Sequence, residues 1–453
     1  MKHLLDEPAL RALARGCAVL GTGGGGDSRI GLLQAMQAAQ EFGPTELVDL
    51  DELASDALIM PCGVIGAPTV AIEKIGNGNE GVVLRDHLEQ ITGRKVAALM
   101  PAEIGGSNGL LPACWAGRIG LPVVDADGMG RAFPEVPQVT MHLAGVSPSP
   151  YVMTDERGNV IVLRAISGAW LEWLARAAAA EFGGSAVAAE YTMTVEQARG
   201  ATVRGTVSLA IRIGEAVAAA SDPVAEVIAA TGGFILVSGK VTDVERRTTK
   251  GFVRGSVAIE GLGDDAGRLL RLEVQNENLV ALQQGTVRAS VPDLISVLDS
   301  ETADAIATER VRYGQRVTVI AMACDPIWRT PPGLQMAGPR AFGYDFDYVP
   351  VEQLAGVNTG LSARHRGRRD EHRCRDPGLL RSGPRQGQGA DHGGRDQRRH
   401  CARRRRPLDG MDASRITHAM LGTTHATNAV LEGRKLLRVA VVQLGGPATL
   451  GSG

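Results

Sequence analysis

Short apolar runs alternate with segments of helical apolar spacing through the first part of the chain. The predicted strands are residues 45–50, 57–63, 95–101 and 122–125, and the predicted helices are residues 5–19, 28–42, 80–92 and 108–119. Asp27 is placed to cap the second of these helices. This alternation of strand and helix predicts an α/β domain with a mainly parallel sheet over residues 1–167.

The pattern becomes strand-rich after a predicted hairpin at residues 150–166 and a helix at residues 168–182. The second domain is predicted to open with residues 186–194 and a long helical stretch at 206–229, followed by strands at 234–244, 247–259, 269–273, 288–292 and 316–321. Repeated strands with Gly and Asp between them predict a β-rich α+β domain over residues 168–355.

Composition and charge limit the partners that the protein can have. The chain is 44% hydrophobic with 4% aromatic residues, and its formal net charge is -2. This balance argues against a general affinity for nucleic acid or acidic membranes. The sequence has no apolar run of about 18 residues or more, so no membrane span is expected.

The N-terminal segment and the cysteines indicate the cellular compartment in which the protein is expected. Residues 1–26 carry acids and arginines where a signal peptide needs an apolar stretch, so a cytoplasmic protein is expected. Six cysteines are scattered without a CxxC pair, which is typical of reduced thiols. We also expect the protein to form a homo-oligomer.

Residues 361–406 hold fifteen arginines, no lysine, and no Val, Ile, Phe, Tyr, Trp or Met. A segment of this kind cannot bury enough apolar surface to fold, and the usual interpretations are a nucleic-acid arm or a disordered tail. A shifted reading frame explains the absence of lysine better, because GC-rich DNA read off frame yields arginine. Shifting a permitted back-translation of residues 364–378 by one base gives GIGVGGTNTDAVILD, and the same shift in residues 386–392 permits KVKAPTT.

The recovered VGGTNTDA peptide resembles the phosphate-binding segment of the hydantoinase/oxoprolinase family, whose actin-like ATPase fold cradles phosphate with a glycine turn. Residues 412–449 resemble the same family. The positions that match its GTTxxTNAxxE pattern are Gly422, Thr423, Thr424, Thr427, Asn428 and Glu432. We therefore interpret residues 356–411 as disordered and frameshift-derived, and residues 412–453 as a partial hydantoinase-like fragment that forms no ATPase.

The run LGTGGGG at residues 20–26 is the first candidate binding element. Consecutive glycines let backbone amides approach an anion at the start of the following helix. On this interpretation Thr22, Gly23, Gly24 and Gly25 bind substrate. A tight turn or close packing would also require glycines. The run lacks a dinucleotide-binding pattern, so no nucleotide is expected for residues 1–355.

The densest group of polar residues follows two predicted strands. Glu103 and Asn108 follow one strand, while Asp125, Asp127 and Arg131 follow the next. Strand ends in one sheet can converge, and three carboxylates would then need a cation or a bound proton. The predicted catalytic set is Glu103, Asp125 and Asp127, with Asn108 and Arg131 binding substrate. Ordinary turn chemistry would also place Asp and Gly there.

Three further residues are candidates for catalysis or metal binding. Cys62 lies at a predicted strand end and Glu73 beside a lysine, so both are added to the catalytic set. The alternatives are a small buried residue at Cys62, which is the more common case, and an ordinary surface ion pair at Glu73. A divalent metal, with zinc favoured, would be held by Asp125, Asp127 and His142. A lone histidine is also commonly a packing residue.

Five ordered segments together resemble the S-methyl-thiohydantoin desulfurase-like family. They are LGTGGGG, GAPTVAIEK, PAEIGGSNG, DADGMGRAFPE and GPRAFGYDFDYVPVE, and the resemblance covers nearly all of residues 1–355. The resemblance implies an α/β domain, a β-rich domain, and hydrolytic removal of sulfur from a thiohydantoin ring. The expected partners are a small cyclic ureide or thiohydantoin and a hydantoinase subunit. The alternative is a ligand-binding or regulatory partner of a hydantoinase that does no chemistry.

Overall fold

A computed structural model describes residues 3–66, 70, 74, 76–218, 220–249 and 252–355. The predicted frameshifted segment and the hydantoinase-like fragment, residues 356–453, lie outside the described residues. Among the helices that are described, none is long and apolar enough to cross a membrane.

The elements of the described chain are as follows. The strands are β1 (His3–Leu5), β2 (Thr45–Val48), β3 (Leu58–Gly66), β4 (Val96–Pro101), β5 (Val123–Val124), β6 (Ala126–Asp127), β7 (Tyr151–Thr154), β8 (Val160–Leu163), β9 (Ser185–Ala189), β10 (Met193–Thr194), β11 (Val203–Arg204), β12 (Phe234–Thr249), β13 (Phe252–Gly261), β14 (Leu269–Gln275), β15 (Glu277–Gln283), β16 (Thr286–Ser290), β17 (Leu294–Asp299) and β18 (Arg316–Met322). The α-helices are α1 (Glu7–Leu20), α2 (Ser28–Phe42), α3 (Glu80–Thr92), α4 (Leu111–Ile119), α5 (Thr140–Leu143), α6 (Gly168–Glu181), α7 (Val195–Ala201), α8 (Thr206–Ala218), α9 (Pro223–Thr231) and α10 (Pro331–Ala337).

The first domain is built on a mixed sheet with strand order β1-β2-β5-β4-β3-β9-β7-β8, and β10 also pairs with β3. Its central strands β2, β5, β4 and β3 run parallel. The flanking strands pair antiparallel. The predicted α/β class is confirmed. The carboxyl ends of β3 and β4 lie at one edge of the sheet, which is where sites of α/β proteins gather.

Strand β9 joins a different sheet from the one that the sequence pattern predicts. Residues 186–194 are predicted to open the second domain, but β9 lies between β3 and β7 of the first sheet. An open edge at β3 would leave its backbone groups without partners, and the β7–β8 hairpin reaches that edge only through β9. Local periodicity identifies a strand but does not identify the strand with which it pairs.

The second sheet is antiparallel, with strand order β16-β15-β14-β13-β12-β18-β17. Register shifts in β12 at Ile235/Val237 and at Val241/Asp243 mark bulges, and bulges bend a long strand. The curled sheet encloses a core of Val, Leu and Ile side chains. The predicted β-rich second domain is confirmed.

Helices α1 and α8 pack with their backbones in contact at two glycines. A Cβ atom added to Gly16 would lie 1.9 Å from the carbonyl oxygen of Ala210, and one added to Gly214 would lie 2.0 Å from that of Ala12. Helix α1 ends at the glycine run, so this contact fixes where the run begins.

We expect Gly16→Ala to destabilise the protein by at least about 1–3 kcal/mol, because two helix backbones must separate to admit one methyl group. Chemical denaturation measures the change in the free energy of unfolding. Gly200→Ala is the matched control, since a Cβ atom at helical Gly200 meets nothing within 4 Å and should be neutral or stabilising. Equal stability of the two variants would contradict the close packing.

Candidate active site

A cavity of about 90 Å³ lies at the carboxyl ends of β3 and β4. One water molecule needs roughly 10–15 Å³ of such volume, so the cavity has the scale of a small ring. Four glutamates line it, and Glu135 is the one that is only partly buried. The other three come from distant parts of the chain: Glu103, Glu190 and Glu277. Each of these side chains is buried. An acidic cavity of this kind is a candidate active site.

Glu103 follows β4 and is held in place by two hydrogen bonds. The side-chain amide of Asn108 donates to Oε1, and the backbone N–H of Phe133 donates to Oε2 at 3.3 Å. Asn108 is itself oriented, because its Oδ1 accepts the N–H of Val64 at 2.9 Å. Burial raises the pKa of Glu103 to about 8, although both hydrogen bonds favour the ionised form.

Glu190 follows β9 and lines the same cavity as Glu103, but its carboxyl group has fewer hydrogen bonds. Its Oε2 atom is buried and has no hydrogen-bond partner in the described part of the chain. Burial, followed by repulsion from the carboxylate of Glu103, raises the pKa of Glu190 to about 8. Gly63 leaves room for this side chain, since a Cβ atom there would lie 3.3 Å from Oε1 of Glu190. The same Cβ atom would lie 4.0 Å from Oδ1 of Asn108.

Glu277 comes from the second domain, at the start of β15. Burial raises its pKa well above the ordinary value, and repulsion by Glu103 adds to the shift. Its carboxyl group rests on the glycine run, where a Cβ atom at Gly24 would lie 2.0 Å from Oε1. The candidate site therefore includes residues of both domains.

The glycine run serves packing at one end and the cavity at the other. A Cβ atom at Gly23 would lie 2.6 Å from Cγ2 of Thr308, so Gly23 and Gly24 are required by close packing. Gly25 and Gly26 line the cavity. Their N–H groups donate to no acceptor in the described part of the chain. Of the glycines predicted to bind substrate, Gly25 is therefore the one at the cavity wall.

Arg131 and Thr22 are buried behind the cavity wall and bond to each other. The guanidinium of Arg131 donates to Oγ1 of Thr22 at 3.0 Å and to the carbonyl oxygens of Pro292 and Asp293 at 2.7 and 2.9 Å. Burial lowers the pKa of Arg131 to about 10, and the charge of Glu277 opposes that shift. Both residues were predicted to bind substrate. In the structure neither lines the cavity, and both form hydrogen bonds with other parts of the protein. Arg131 supplies a positive charge near Glu103 and Glu277.

Asp125 and Asp127 do not join Glu103 at the cavity. Asp127 is fully buried, and its carboxylate accepts the N–H groups of Ile104 at 2.8 Å and Met129 at 3.1 Å. Asp125 accepts the N–H of Ser208 at 2.9 Å and so caps the start of α8. Asp127 lies close enough for its charge to raise the pKa of Glu103. Neither aspartate lines the cavity, because backbone N–H donors hold both carboxylates away from it.

The remaining residues predicted for catalysis or metal binding do not line the cavity in the described part of the chain. His142 contacts the hydroxyl group of Tyr191 through Nδ1 at 3.2 Å. Cys62 is fully buried, its thiol donates to the carbonyl oxygen of Met100 at 3.4 Å, and burial raises its pKa. Glu73 lies outside the described residues. Packing, rather than nucleophilic chemistry, accounts for the contacts of Cys62.

The predicted zinc ligands are not brought together. Within the described residues, no group of three or more His, Cys, Asp or Glu side chains is arranged to hold a metal ion. Asp125, Asp127 and His142 each have separate hydrogen-bond partners. These three side chains therefore do not fit a tetrahedral zinc site.

Sequence reasoning found Glu103, Asn108 and the glycine run but missed Glu190 and Glu277. Glu190 stands alone after an Ala-rich strand, AVAA, with no motif around it. Glu277 lies in the segment QNEN, whose four polar residues suggest an exposed turn. The structure buries all four of them. A polar turn between two apolar strands was the only available signal.

The fold and the site define a class: two-domain proteins with an acidic cavity of the size of a small ring. The profile of the S-Me-THD-like N-terminal domain matches residues 8–165, and that of the C-terminal domain matches residues 166–351. The chain belongs to the S-Me-THD-like family. The family name points to a role related to thiohydantoin desulfurase.

Known structures support the fold. A crystal structure of a protein from Chromobacterium violaceum is similar to this chain, with 25% sequence identity and a TM-score of 0.65. The match covers 77% of this chain and 100% of that chain. No curated protein matches the sequence at a significant level.

Proposed function

We propose that the protein is a hydrolytic desulfurase that acts on a thiohydantoin-like five-membered ring. The observation that carries the proposal is the small cavity at which Glu103, Glu190 and Glu277 are buried together. Family membership supports the choice of ring. Buried carboxyl groups with raised pKa values at one cavity are typical of acid–base catalysis.

The cavity wall complements the hydrogen-bonding groups of such a ring. Three carboxyl groups offer acceptors, and a cyclic ureide offers ring N–H donors. The free N–H groups of Gly25 and Gly26 can donate to the oxygen or sulfur that gains negative charge when the ring carbon is attacked.

Glu103 and Glu190 are suited to opposite roles in the hydrolysis. Glu103 accepts two hydrogen bonds and lies near the charge of Arg131, so its ionised form is the better stabilised. Glu190 lacks such hydrogen bonds, so it is the group that holds the proton when the pair shares one. Glu103 therefore acts as the general base and Glu190 as the general acid.

The step balances in atoms and protons for an S-methylated ring. Water adds its oxygen to the ring carbon between the two nitrogens, and its proton passes to Glu103. The C–S bond then breaks, Glu190 gives its proton to the departing sulfur, and methanethiol leaves. The new hydroxyl group tautomerises to the ring carbonyl, so the product is a hydantoin. Transfer of the proton from Glu103 back to Glu190 restores both carboxyl groups for the next turnover.

The reaction fits a hydantoin-degradation pathway in the cytoplasm, because a hydantoin is what a hydantoinase consumes. The sequence resemblance of residues 412–449 to hydantoinases supports this placement. The alternative function is a ligand-binding or regulatory partner of a hydantoinase, which would use the same cavity without turnover.

The full-length protein, incubated with 2-thiohydantoin or its S-methyl derivative, is expected to release sulfide or methanethiol. A thiol reagent measures the release, and parallel reactions with added zinc or a chelator test the predicted metal. Binding of these compounds without release of sulfur would favour the regulatory alternative. Neither binding nor release would exclude both functions.

A further inference from the structure

The β14–β15 hairpin ends in a buried polar tip, Gln275–Asn276–Glu277–Asn278. Hairpin turns normally lie in solvent, where water satisfies their polar groups. Each of these four residues is at most 7% exposed. Asn276 adopts a left-handed φ of 56° and reverses the chain within one residue. A polar tip held inside the protein requires polar partners.

The glycine run and its neighbours supply partners for the backbone of the tip. The N–H of Asn278 donates to the carbonyl oxygen of Thr22 at 2.8 Å, and the hydroxyl group of Thr308 donates to the carbonyl oxygen of Asn276 at 2.5 Å. Thr308 also donates its N–H to the carbonyl oxygen of Gly23 at 2.9 Å. These bonds fix the tip against the cavity.

The side chain of Glu277 is not satisfied in the same way. It is 3% exposed, it lines the cavity, and its Oε2 atom has no hydrogen-bond partner among the described residues. A buried carboxyl oxygen without a donor is costly, and a bound ligand can supply the donor. Arg131 lies close enough to influence Glu277 electrostatically, but its guanidinium donates its hydrogen bonds to Thr22 and to backbone carbonyl groups.

We propose that Glu277 is a specificity-determining residue, which accepts a hydrogen bond from a ring N–H group of a cyclic ureide. The inference rests on the proposed function and adds to it the second domain's part in selecting substrate. A carboxyl oxygen accepts such a bond in either protonation state. A ring methylated on that nitrogen has no N–H group to donate. Its added methyl group would also clash with the closely packed hairpin tip. Only rings with this nitrogen unsubstituted are substrates.

The test uses binding, so that it does not depend on turnover. Calorimetry measures the affinity of the full-length protein for hydantoin, 1-methylhydantoin and 3-methylhydantoin. The variants are Glu277→Leu, which removes the acceptor, and Glu277→Gln, which keeps a weaker one. Glu273→Leu is the matched control, because Glu273 lies on the same hairpin but pairs with Arg271 at 2.5 Å.

The wild-type protein should bind hydantoin and discriminate against one methyl isomer by about tenfold or more, because that isomer leaves the buried carboxyl oxygen of Glu277 without a donor. Glu277→Leu should weaken hydantoin binding by a similar factor and reduce the discrimination to about threefold or less. Glu277→Gln should be intermediate, and Glu273→Leu should match the wild type. Thermal unfolding of all variants establishes that they are folded.

Two results would overturn the inference: no binding of hydantoin by the wild type, or a Glu277→Leu variant that binds and discriminates as the wild type does. The proposed function fails separately. If the binding pattern is as expected but no sulfur is released from thiohydantoins, Glu277 recognises the ring and the protein is not a desulfurase.

Discussion

Replacing Glu103 by glutamine is expected to lower kcat/KM for thiohydantoin hydrolysis by about 10²- to 10⁴-fold, the usual contribution of a general base. Glutamine keeps the size of the side chain and can still bond to Asn108, but it takes no proton from water. The affinity for hydantoin should change little. Thiol release gives the rate, and calorimetry gives the affinity.

The pH dependence of the wild-type rate provides a second measurement of the same pair. Glu103 must be ionised, so the rate falls as pH drops below its pKa of about 8. Glu190 must be protonated, so the rate also falls as pH rises above its pKa of about 8. A bell-shaped profile of kcat/KM with its maximum close to pH 8 is expected.

The control is Glu260→Gln, which makes the same chemical change on an exposed position of β13. It should leave the rate and the pH profile unchanged. A Glu103→Gln variant that retains more than about a tenth of the wild-type rate would remove Glu103 from the role of general base.

Glu190→Gln is expected to stabilise the folded protein at alkaline pH while abolishing most turnover. Burial raises the pKa of Glu190 from 4.5 to about 8, so the native state holds a proton that the unfolded state has lost between these values. Stability therefore falls as pH rises through this window and stays low above pH 8. Removing the ionisable group should recover up to about 5 kcal/mol at pH 9, at about 1.4 kcal/mol per pKa unit.

Unfolding in denaturant at pH 5 and pH 9 measures this effect. At pH 5 the carboxyl group is neutral in the native state, so Glu190→Gln should be near the wild type there. Glu260→Gln should show no such dependence on pH, because its side chain is exposed. A Glu190→Gln variant that is equally stable relative to the wild type at both pH values would show that Glu190 is ionised in the folded protein.

Local sequence patterns predict many of the helices and strands. The predicted helix at residues 80–92 coincides with α3, and Asp27 caps α2 with a hydrogen bond from the N–H of Arg29 at 3.0 Å. Such elements depend on the spacing of apolar residues and on capping groups within a few positions. The glycine run and Glu103 were found for a similar reason, because glycines in sequence and a carboxylate at a strand end are local signals.

The composition of the candidate site was decided by tertiary structure alone. Glu103, Glu190 and Glu277 lie far apart in the sequence, and they meet because β9 inserts beside β3 and because the second domain presses a hairpin tip against the glycine run. Asp125 is adjacent to β5 in the sequence, but its carboxylate accepts a hydrogen bond from the N–H of Ser208 at the start of α8. Strand pairing and helix docking join distant residues, so local periodicity could predict the elements but could not tell which carboxyl groups would share a cavity.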